Sequence, residues 1–187
     1  MKQTAAPTYH PFSQLQHWLM AGIWISVWLF GFVAVHLRDQ WNAHHELTFI
    51  HKAIGSTVLF LTALRIVWRL THPTPPLPAS MSPTMQRAAH FAHYALYAMA
   101  LVALPLSGWM WSSSAGKQIM MLGLFELPPL FAPSDELRPW IGLVHRWLSW
   151  VFGAAVLGHA VVAFKHHFID RDNVLKSMLP AWLRGKR

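Results

Sequence analysis

One uncharged stretch near the C-terminal end most constrains what this chain can fold into. From Trp147 to Phe164 the sequence runs for 18 residues without a charged side chain, which is long enough for one membrane-spanning helix. Other apolar runs of similar length precede it. Because 54% of the residues are hydrophobic and only 12% are charged, the composition is typical of a membrane protein.

The predicted fold class is an all-α membrane protein, a four-transmembrane-helix bundle with a C-terminal amphipathic interfacial helix. Ser13 and Gln16 match a capping box, so the first helix is predicted to start just after Ser13. Pro105 is expected to kink the third helix. Apolar residues recur at helical spacing among Lys and Arg in the tail, 170–184, which is typical of a helix lying on the membrane surface. The spans are predicted over 14–36, 48–70, 87–111 and 139–167, within a single membrane domain covering 1–187.

Two of the connections have a distinctive composition. Residues His36–Ile50 are polar and are predicted to form a loop. Residues Ser112–Pro139 form a longer loop that is rich in Gly and Pro and contains the apolar islands IMMLGLF and PPLF. A long loop of this kind is usually functional, and this one is expected to lie in the membrane interface.

The distribution of charge predicts the orientation in the membrane. The net charge of +8 could indicate nucleic-acid binding, but four spans place the whole excess of Lys and Arg on the side that holds both termini. Cytoplasmic loops carry such an excess, so both termini are predicted to be cytoplasmic and a nucleic-acid role is excluded. The chain has no cysteine, which excludes disulfides, thiolate iron–sulfur clusters and covalent c-type haem attachment.

Four histidines form two pairs at two depths of the predicted bundle. His145 and His159 lie on the last span, and 14 residues of helix separate them by about 21 Å on nearly the same face. Spans two and four begin on the outer side, so His51 shares the outer depth with His145. Span one begins on the inner side, so His17 shares the inner depth with His159.

Paired imidazoles at two depths indicate two haems. Two neutral imidazoles on one haem iron leave no open position, so such a centre passes electrons and does not activate oxygen. The predicted iron ligands are His17 and His159 for the inner haem, and His51 and His145 for the outer haem.

Counting along the helices adds two further candidates. Fourteen residues beyond His17 is Gly31, which presents no side chain at the outer depth. Fourteen residues beyond His51 is Arg65, at the inner depth, where a guanidinium is expected to hold a haem propionate.

Other histidines and methionines are weaker candidates. His90 and His93, at the entrance of span three, are the rivals of His17, and their alternative roles are propionate contact, capping or an interfacial position. His36 is the weak rival of His51. The remaining residues of these types are assigned to solvent, interface or packing: His44 and His45 to solvent, His166 and His167 to the interface, and Met120 and Met121 to packing.

Ordered motifs along essentially the whole chain resemble those of the bacterial cytochrome b561 proteins. They are QHWL around His17, IHKAIG around His51, RLTHPTPP after span two, AAHFAHYALY at span three, the His145–His159 pair, and KHHFIDRDNVLKSML at the end. The resemblance implies four helices, two b-type haems and the same four ligand positions. It also implies a quinone-linked electron carrier of the inner membrane.

Two redox functions and one non-redox function remain open at this point. A close member of the resembled family oxidises superoxide and reduces ubiquinone, so superoxide is the leading electron donor and ubiquinone the leading acceptor. Alternatively, the chain is a membrane anchor and electron conduit for a periplasmic redox or isoprenoid-binding partner. The third possibility is a non-redox four-span scaffold whose histidines bind a metal such as zinc, or no metal at all. For a superoxide site, the basic residues expected to flank the outer haem entrance are Arg38, Lys52, Arg138 and Arg146.

Overall fold

The computed structural model of the protein describes residues 8–78 and 80–184, and four of its helices are long and apolar enough to cross a membrane. The helices are α1 (Pro11–His36), α2 (Arg38–Trp41), α3 (Glu46–Thr71), α4 (Pro83–Ala98), α5 (Leu104–Ser114), α6 (Leu137–Phe168) and α7 (Val174–Met178). A π-helix at Met99–Ala103 joins α4 to α5 and makes them one span, Pro83–Ser114. The four-span bundle predicted from the sequence is therefore confirmed.

Each span begins a few residues earlier than predicted, and in α1 and α4 the N-cap is a residue that the prediction did not use. The first helix starts at Pro11, where the Nδ1 atom of His10 accepts a hydrogen bond from the Phe12 amide at 3.2 Å. In α4, Ser82 precedes Pro83 and accepts a hydrogen bond from the Met85 amide at 3.3 Å. Proline suits the first helical position because the amide it lacks has no intrahelical partner there. The start predicted just after Ser13 is therefore wrong.

The expected distortion at Pro105 takes the form of one π turn. Proline cannot donate a backbone hydrogen bond to the carbonyl four residues earlier, so the helical ladder is interrupted there. The residues immediately before Leu104 adopt the wider π geometry, which is a common way of absorbing such an interruption.

Tyr9 and Ser177, near the two ends of the described chain, lie together at one end of the bundle, which we call the terminal end. There the backbone of the segment after α6 contacts α1 and the residues before it. The amide of Tyr9 and the side chain of Gln14 both donate to the Ser177 carbonyl, at 3.2 and 2.9 Å. The indole of Trp18 donates to the Met178 carbonyl at 2.9 Å.

The opposite end, which we call the hairpin end, carries a small antiparallel hairpin that was predicted only as loop. Strands β1 (Ile119–Met121) and β2 (Phe125–Leu127) pair, with Met121 opposite Phe125. The turn places Leu122 at φ 52° and Gly123 at φ 72°. The Leu122 amide donates to the Ala53 carbonyl at 3.2 Å, so the hairpin is fixed to α3.

Asn42 closes the connection between α1 and α3, and it is 1% exposed. Its amide group donates to the Ala34 carbonyl at 3.3 Å and to the Thr48 hydroxyl at 2.8 Å. Its side-chain oxygen accepts from the amides of Leu47 and Thr48. These bonds satisfy the first amides of α3, which have no partner within the helix.

The tail does not form the single helix predicted over 170–184. It contains α7 and a 3-10 turn at Ala181–Leu183, which are separated by Leu179 and Pro180. Leu179 is extended, at ψ 143°, because the residue before proline avoids helical geometry. His166, predicted to mark the interface, is instead buried, and its Nδ1 atom lies 2.6 Å from Asp172.

The buried apolar core is small for a bundle of this length. Ala100, Leu104 and Phe152 form its central cluster. Trp24 packs against Phe152 with ring centroids 4.9 Å apart. Many large apolar side chains are instead exposed on the outer faces of the helices, as expected for helices whose solvent is lipid.

Candidate functional site

His51 and His145 face each other towards the hairpin end, with ring centroids 6.2 Å apart. The Nδ1 atom of His51 lies 2.8 Å from the Val27 carbonyl. A carbonyl only accepts hydrogen bonds, so Nδ1 carries the proton and Nε2 presents a lone pair. This is the arrangement in which a histidine ligates a metal.

His145 is held in the same tautomer by a serine. The Ser107 hydroxyl donates to the Leu104 carbonyl at 3.0 Å and lies 2.9 Å from the Nδ1 atom of His145. Because its proton is already used, the hydroxyl accepts from Nδ1–H, and the Nε2 lone pair of His145 is free. The sequence analysis missed Ser107, although a polar residue inside an apolar span is a recognised signal of function.

His17 and His159 face each other towards the terminal end, also with ring centroids 6.2 Å apart. They lie on α1 and α6. The helical rise along α6 places this pair about 21 Å from the His51–His145 pair.

The rival histidines occupy different positions. The His93 ring contacts that of His159 at 5.3 Å between centroids, and its Nδ1 atom lies 2.7 Å from the Ala89 carbonyl. His36 packs on Phe32 at 4.7 Å, and His90 is exposed on α4. Of the three rivals, His93 is therefore the one that reaches a predicted ligand.

Each of the two histidine pairs has room for one metal ion between its rings. A metal lies about 2 Å from each imidazole nitrogen, and the ring radius adds about 1 Å on each side, so the centroids of two opposed rings should be about 6 Å apart. Both 6.2 Å separations match this value, whereas the 5.3 Å between His93 and His159 is too short.

Glycines leave room for the rings at the hairpin-end pair. A Cβ atom at Gly31 would lie 2.8 Å from Cε1 of His51, and one at Gly108 would lie 3.1 Å from Cε1 of His145. Gly31 was singled out from its spacing to His17, and its structural role is to admit the His51 imidazole.

Arg65 lies near the terminal-end pair and has an unused donor. Its Nε atom donates to the Tyr97 hydroxyl at 3.1 Å, while its buried Nη1 atom has no hydrogen-bond partner among residues 8–78 and 80–184. Burial raises the pKa of the nearby Tyr9 hydroxyl above its ordinary value, and Arg69 and Arg65 act in the opposite direction. Tyr9 therefore stays neutral at physiological pH, so the free Nη1 donor suits an anionic group such as a propionate.

The four basic residues predicted at the outer entrance do not form one cluster of interacting side chains. Arg38 points to His45, with 3.4 Å between Nη2 and Nε2, and Arg138 pairs with Asp135 at 3.3 Å. Lys52 donates to the Gln118 carbonyl at 2.7 Å. Arg146 follows His145 on α6 and is exposed.

An aromatic pair occupies the level between the two histidine pairs, and the sequence analysis did not identify it. Phe152 lies seven residues from both His145 and His159, and it packs against Trp24, seven residues beyond His17. The spacing could have identified this pair, because a residue seven positions from a histidine lies nearly two helical turns away on the same face.

The fold and its composition define a four-span helical membrane protein. A family model described as prokaryotic cytochrome b561 matches residues 8–181. The chain therefore belongs to the prokaryotic cytochrome b561 family, whose members bind haem b and carry out electron transfer in bacterial membranes. The zinc-scaffold alternative is accordingly set aside.

Three relatives extend this family assignment. Cytochrome b561 homolog 2 of Escherichia coli K12 is 37% identical over 91% of this chain and 90% of its own length. A Yersinia pestis protein, "Probable superoxide oxidase CybB", is 29% identical over 88% of this chain and 91% of its own. Cytochrome b561 homolog 1 of Escherichia coli K12 is 33% identical over 66% of this chain and 68% of its own.

The close approach at Gly31 gives a testable consequence for haem binding. Gly31→Ala places a methyl group 2.8 Å from the His51 ring, so the ring must turn and lose its bond to Val27. Losing the contact that orients a ligand costs on the order of 10-fold in affinity. The haem-to-protein ratio of the purified protein, measured by absorbance, should fall.

Gly22→Ala is the matched control, because it lies on the same helix and its Cβ atom would meet nothing within 4 Å. It should retain the natural haem content. Equal haem content in the two variants would contradict the proposed role of Gly31.

Proposed function

We propose that this chain holds two haem b groups and transfers electrons across the bacterial inner membrane from a small periplasmic reductant to ubiquinone. The observation that carries the proposal is the presence of two histidine pairs, each 6.2 Å apart, that share helix α6 at opposite ends. Residues 1–187 act as one membrane domain. Both termini are cytoplasmic, so the terminal end faces the cytoplasm and the hairpin end the periplasm.

In this proposal His51 and His145 hold the outer haem iron, and His17 and His159 hold the inner one. When bound, haem iron accepts and releases one electron at a time. Val27 and Ser107 hold the outer imidazoles in the ligating tautomer. The aromatic contact between Trp24 and Phe152 lies at the level between the two sites.

Superoxide is the leading electron donor. The name of the Yersinia relative supports this choice. The exposed Arg38 and Arg146 carry positive charge near the hairpin end, which attracts a small anion. In balanced form, two superoxide anions become two molecules of oxygen, and the two electrons with two protons from cytoplasmic water convert a quinone to a quinol.

The second candidate function is that of a membrane anchor and electron conduit for a periplasmic redox or isoprenoid-binding protein. The exposed apolar side chains of Leu122, Leu124 and Phe125 at the hairpin favour it. A protein partner would then cover these side chains and deliver the electrons. A superoxide pulse applied to the purified protein separates the two functions.

The donor is tested by a superoxide pulse applied to the purified protein in liposomes that contain ubiquinone. We expect the haem absorbance to show reduction, followed by the appearance of ubiquinol. A parallel sample with superoxide dismutase provides the control. No haem reduction above that control would contradict the superoxide proposal and favour a partner-fed conduit.

The ligand assignment predicts that each site can be emptied separately. His145→Ala should lower the bound haem from about two per chain to about one, because an iron that loses an axial imidazole is held far more weakly. His159→Ala should do the same at the other end. The remaining haem should have a different reduction potential in the two variants. Loss of both haems from either variant would show that the sites are not independent.

The Arg65 assignment is tested through reduction potentials. Arg65→Ala removes a half-buried positive charge near the inner site, and a cation favours the reduced, less positive form of the iron. A redox titration should therefore show the inner haem's potential falling by more than the outer one's. Arg65→Lys retains the charge and should shift the inner haem's reduction potential less than Arg65→Ala does. Equal shifts of both haems in Arg65→Ala would contradict the assignment.

A further inference from the structure

The turn of the hairpin presents three large apolar residues at the surface. Its sequence is Leu122–Gly123–Leu124–Phe125, and Leu122, Leu124 and Phe125 are 60%, 70% and 61% exposed. Leu122 and Gly123 both have positive φ, a geometry for which hairpin turns favour Asn followed by Gly. A leucine in place of the polar residue indicates that the surroundings of this turn are apolar.

The midpoints of three membrane-spanning helices lie at one level of the bundle. Trp24 and Phe152, which contact each other, lie at the midpoints of α1 and α6. His51 and His145 also face each other, and they precede the midpoints of α3 and α6 by the same distance along the helix. We therefore take this level as the bilayer centre, from which the hydrocarbon region extends about 15 Å on each side.

The contacts with α3 give the depth of the turn in the membrane. The Leu122 amide donates to the Ala53 carbonyl at 3.2 Å, and Ala53 lies about 8 Å along the axis from the midpoint of α3. The ring of Phe49 lies 4.0 Å from the position of a Cβ atom at Gly123, and Phe49 is about 14 Å from the same midpoint. The turn therefore lies inside the hydrocarbon region, near its boundary at the hairpin end.

The backbone of the turn is paired within the protein. The amides of residues 122–124 donate to the carbonyls of Ala53, Met120 and Met121, at 3.2, 3.0 and 2.9 Å respectively. Lipid offers no hydrogen-bond partner, so backbone can lie at this depth only when its polar groups are satisfied internally. The three amides of the turn meet this condition.

The turn continues the lipid-facing surface of α3. Phe49 and Phe60 point in nearly the same direction, because the steps of about 100° between them add up to almost three full turns. Both are exposed, by 48% and 59%. Since Phe49 approaches Gly123, one apolar surface runs from the middle of α3 to the hairpin.

The charged residue of β2 lies on the other face of the hairpin. Successive residues of a strand point to opposite faces, so Glu126 points away from the face that Phe125 presents. Glu126 instead lines a cavity of about 240 Å³ together with Lys117 and Trp109. The hairpin is therefore amphipathic, with an apolar face and turn and a charged opposite face.

We propose that residues 122–125 insert among the acyl chains of the leaflet at the hairpin end, with Leu122, Leu124 and Phe125 in contact with lipid. The partner of this surface is the membrane itself. Because the hairpin is bonded to α3 through Lys52 and Ala53, its insertion also fixes the depth of the helix that carries His51. The inference does not depend on the identity of the electron donor or acceptor.

The absence of cysteine from the natural chain allows a single introduced cysteine to carry a nitroxide spin label. The test uses Leu124→Cys in the haem-loaded protein, placed in phosphatidylcholine liposomes. Electron paramagnetic resonance then compares collisions of the label with oxygen, which concentrates in lipid, and with a water-soluble nickel chelate. We expect collisions with oxygen to exceed those with nickel several-fold. The lipid reference is Phe60→Cys, and the water reference is Asp135→Cys, whose side chain is 93% exposed.

Two neighbouring positions repeat the test within the hairpin and keep it decisive if Leu124→Cys is poorly expressed. Because Phe125 and Glu126 point to opposite faces, a label at Phe125→Cys should resemble the lipid reference and one at Glu126→Cys the water reference. Nickel collisions that prevail at both Leu124 and Phe125 would overturn the proposal. The apolar turn would then face water in the purified protein and be free for the soluble partner of the second candidate function.

Discussion

A polar ring inside a membrane must have a partner for each of its nitrogens, because lipid supplies none. For one nitrogen of each ring at the hairpin end, the protein itself supplies the partner. The Val27 carbonyl accepts from Nδ1 of His51, and the Ser107 hydroxyl accepts from Nδ1 of His145. The Nε2 atom of each ring is left with its lone pair, and the 6.2 Å between the ring centroids leaves space for a metal ion between them. The hairpin-end pair therefore has the contacts expected of two metal-ligating imidazoles.

The four spans, their order and the pairing of histidines at two depths follow from the sequence, because hydrophobic length and helical rise are properties of single segments. Contacts between segments do not follow in the same way. The short approach of Gly31 to His51 depends on how closely α1 and α3 pack, and counting residues identified the glycine without identifying its neighbour. The hairpin at Ile119–Leu127 escaped prediction because its strands have only three residues each, too few to show an alternating pattern.

The tail illustrates a different failure. Its apolar spacing is helical, but Pro180 ends α7 and the chain continues as a separate turn. What holds this segment is polar: Asp172 accepts from the Val174 amide at 2.9 Å and contacts the buried His166. Its backbone carbonyls then receive the side chains of Gln14 and Trp18. The tail is therefore held against α1 by polar contacts, whereas its periodicity alone indicated a free surface helix.

These contacts also determine which routes into the bundle stay open. At the hairpin end, Lys52 and the Leu122 amide attach the hairpin to α3, and at the terminal end the tail covers the start of α1. A groove between α1 and α3 lies at the side of the bundle, between two helices that are long and apolar enough to cross a membrane.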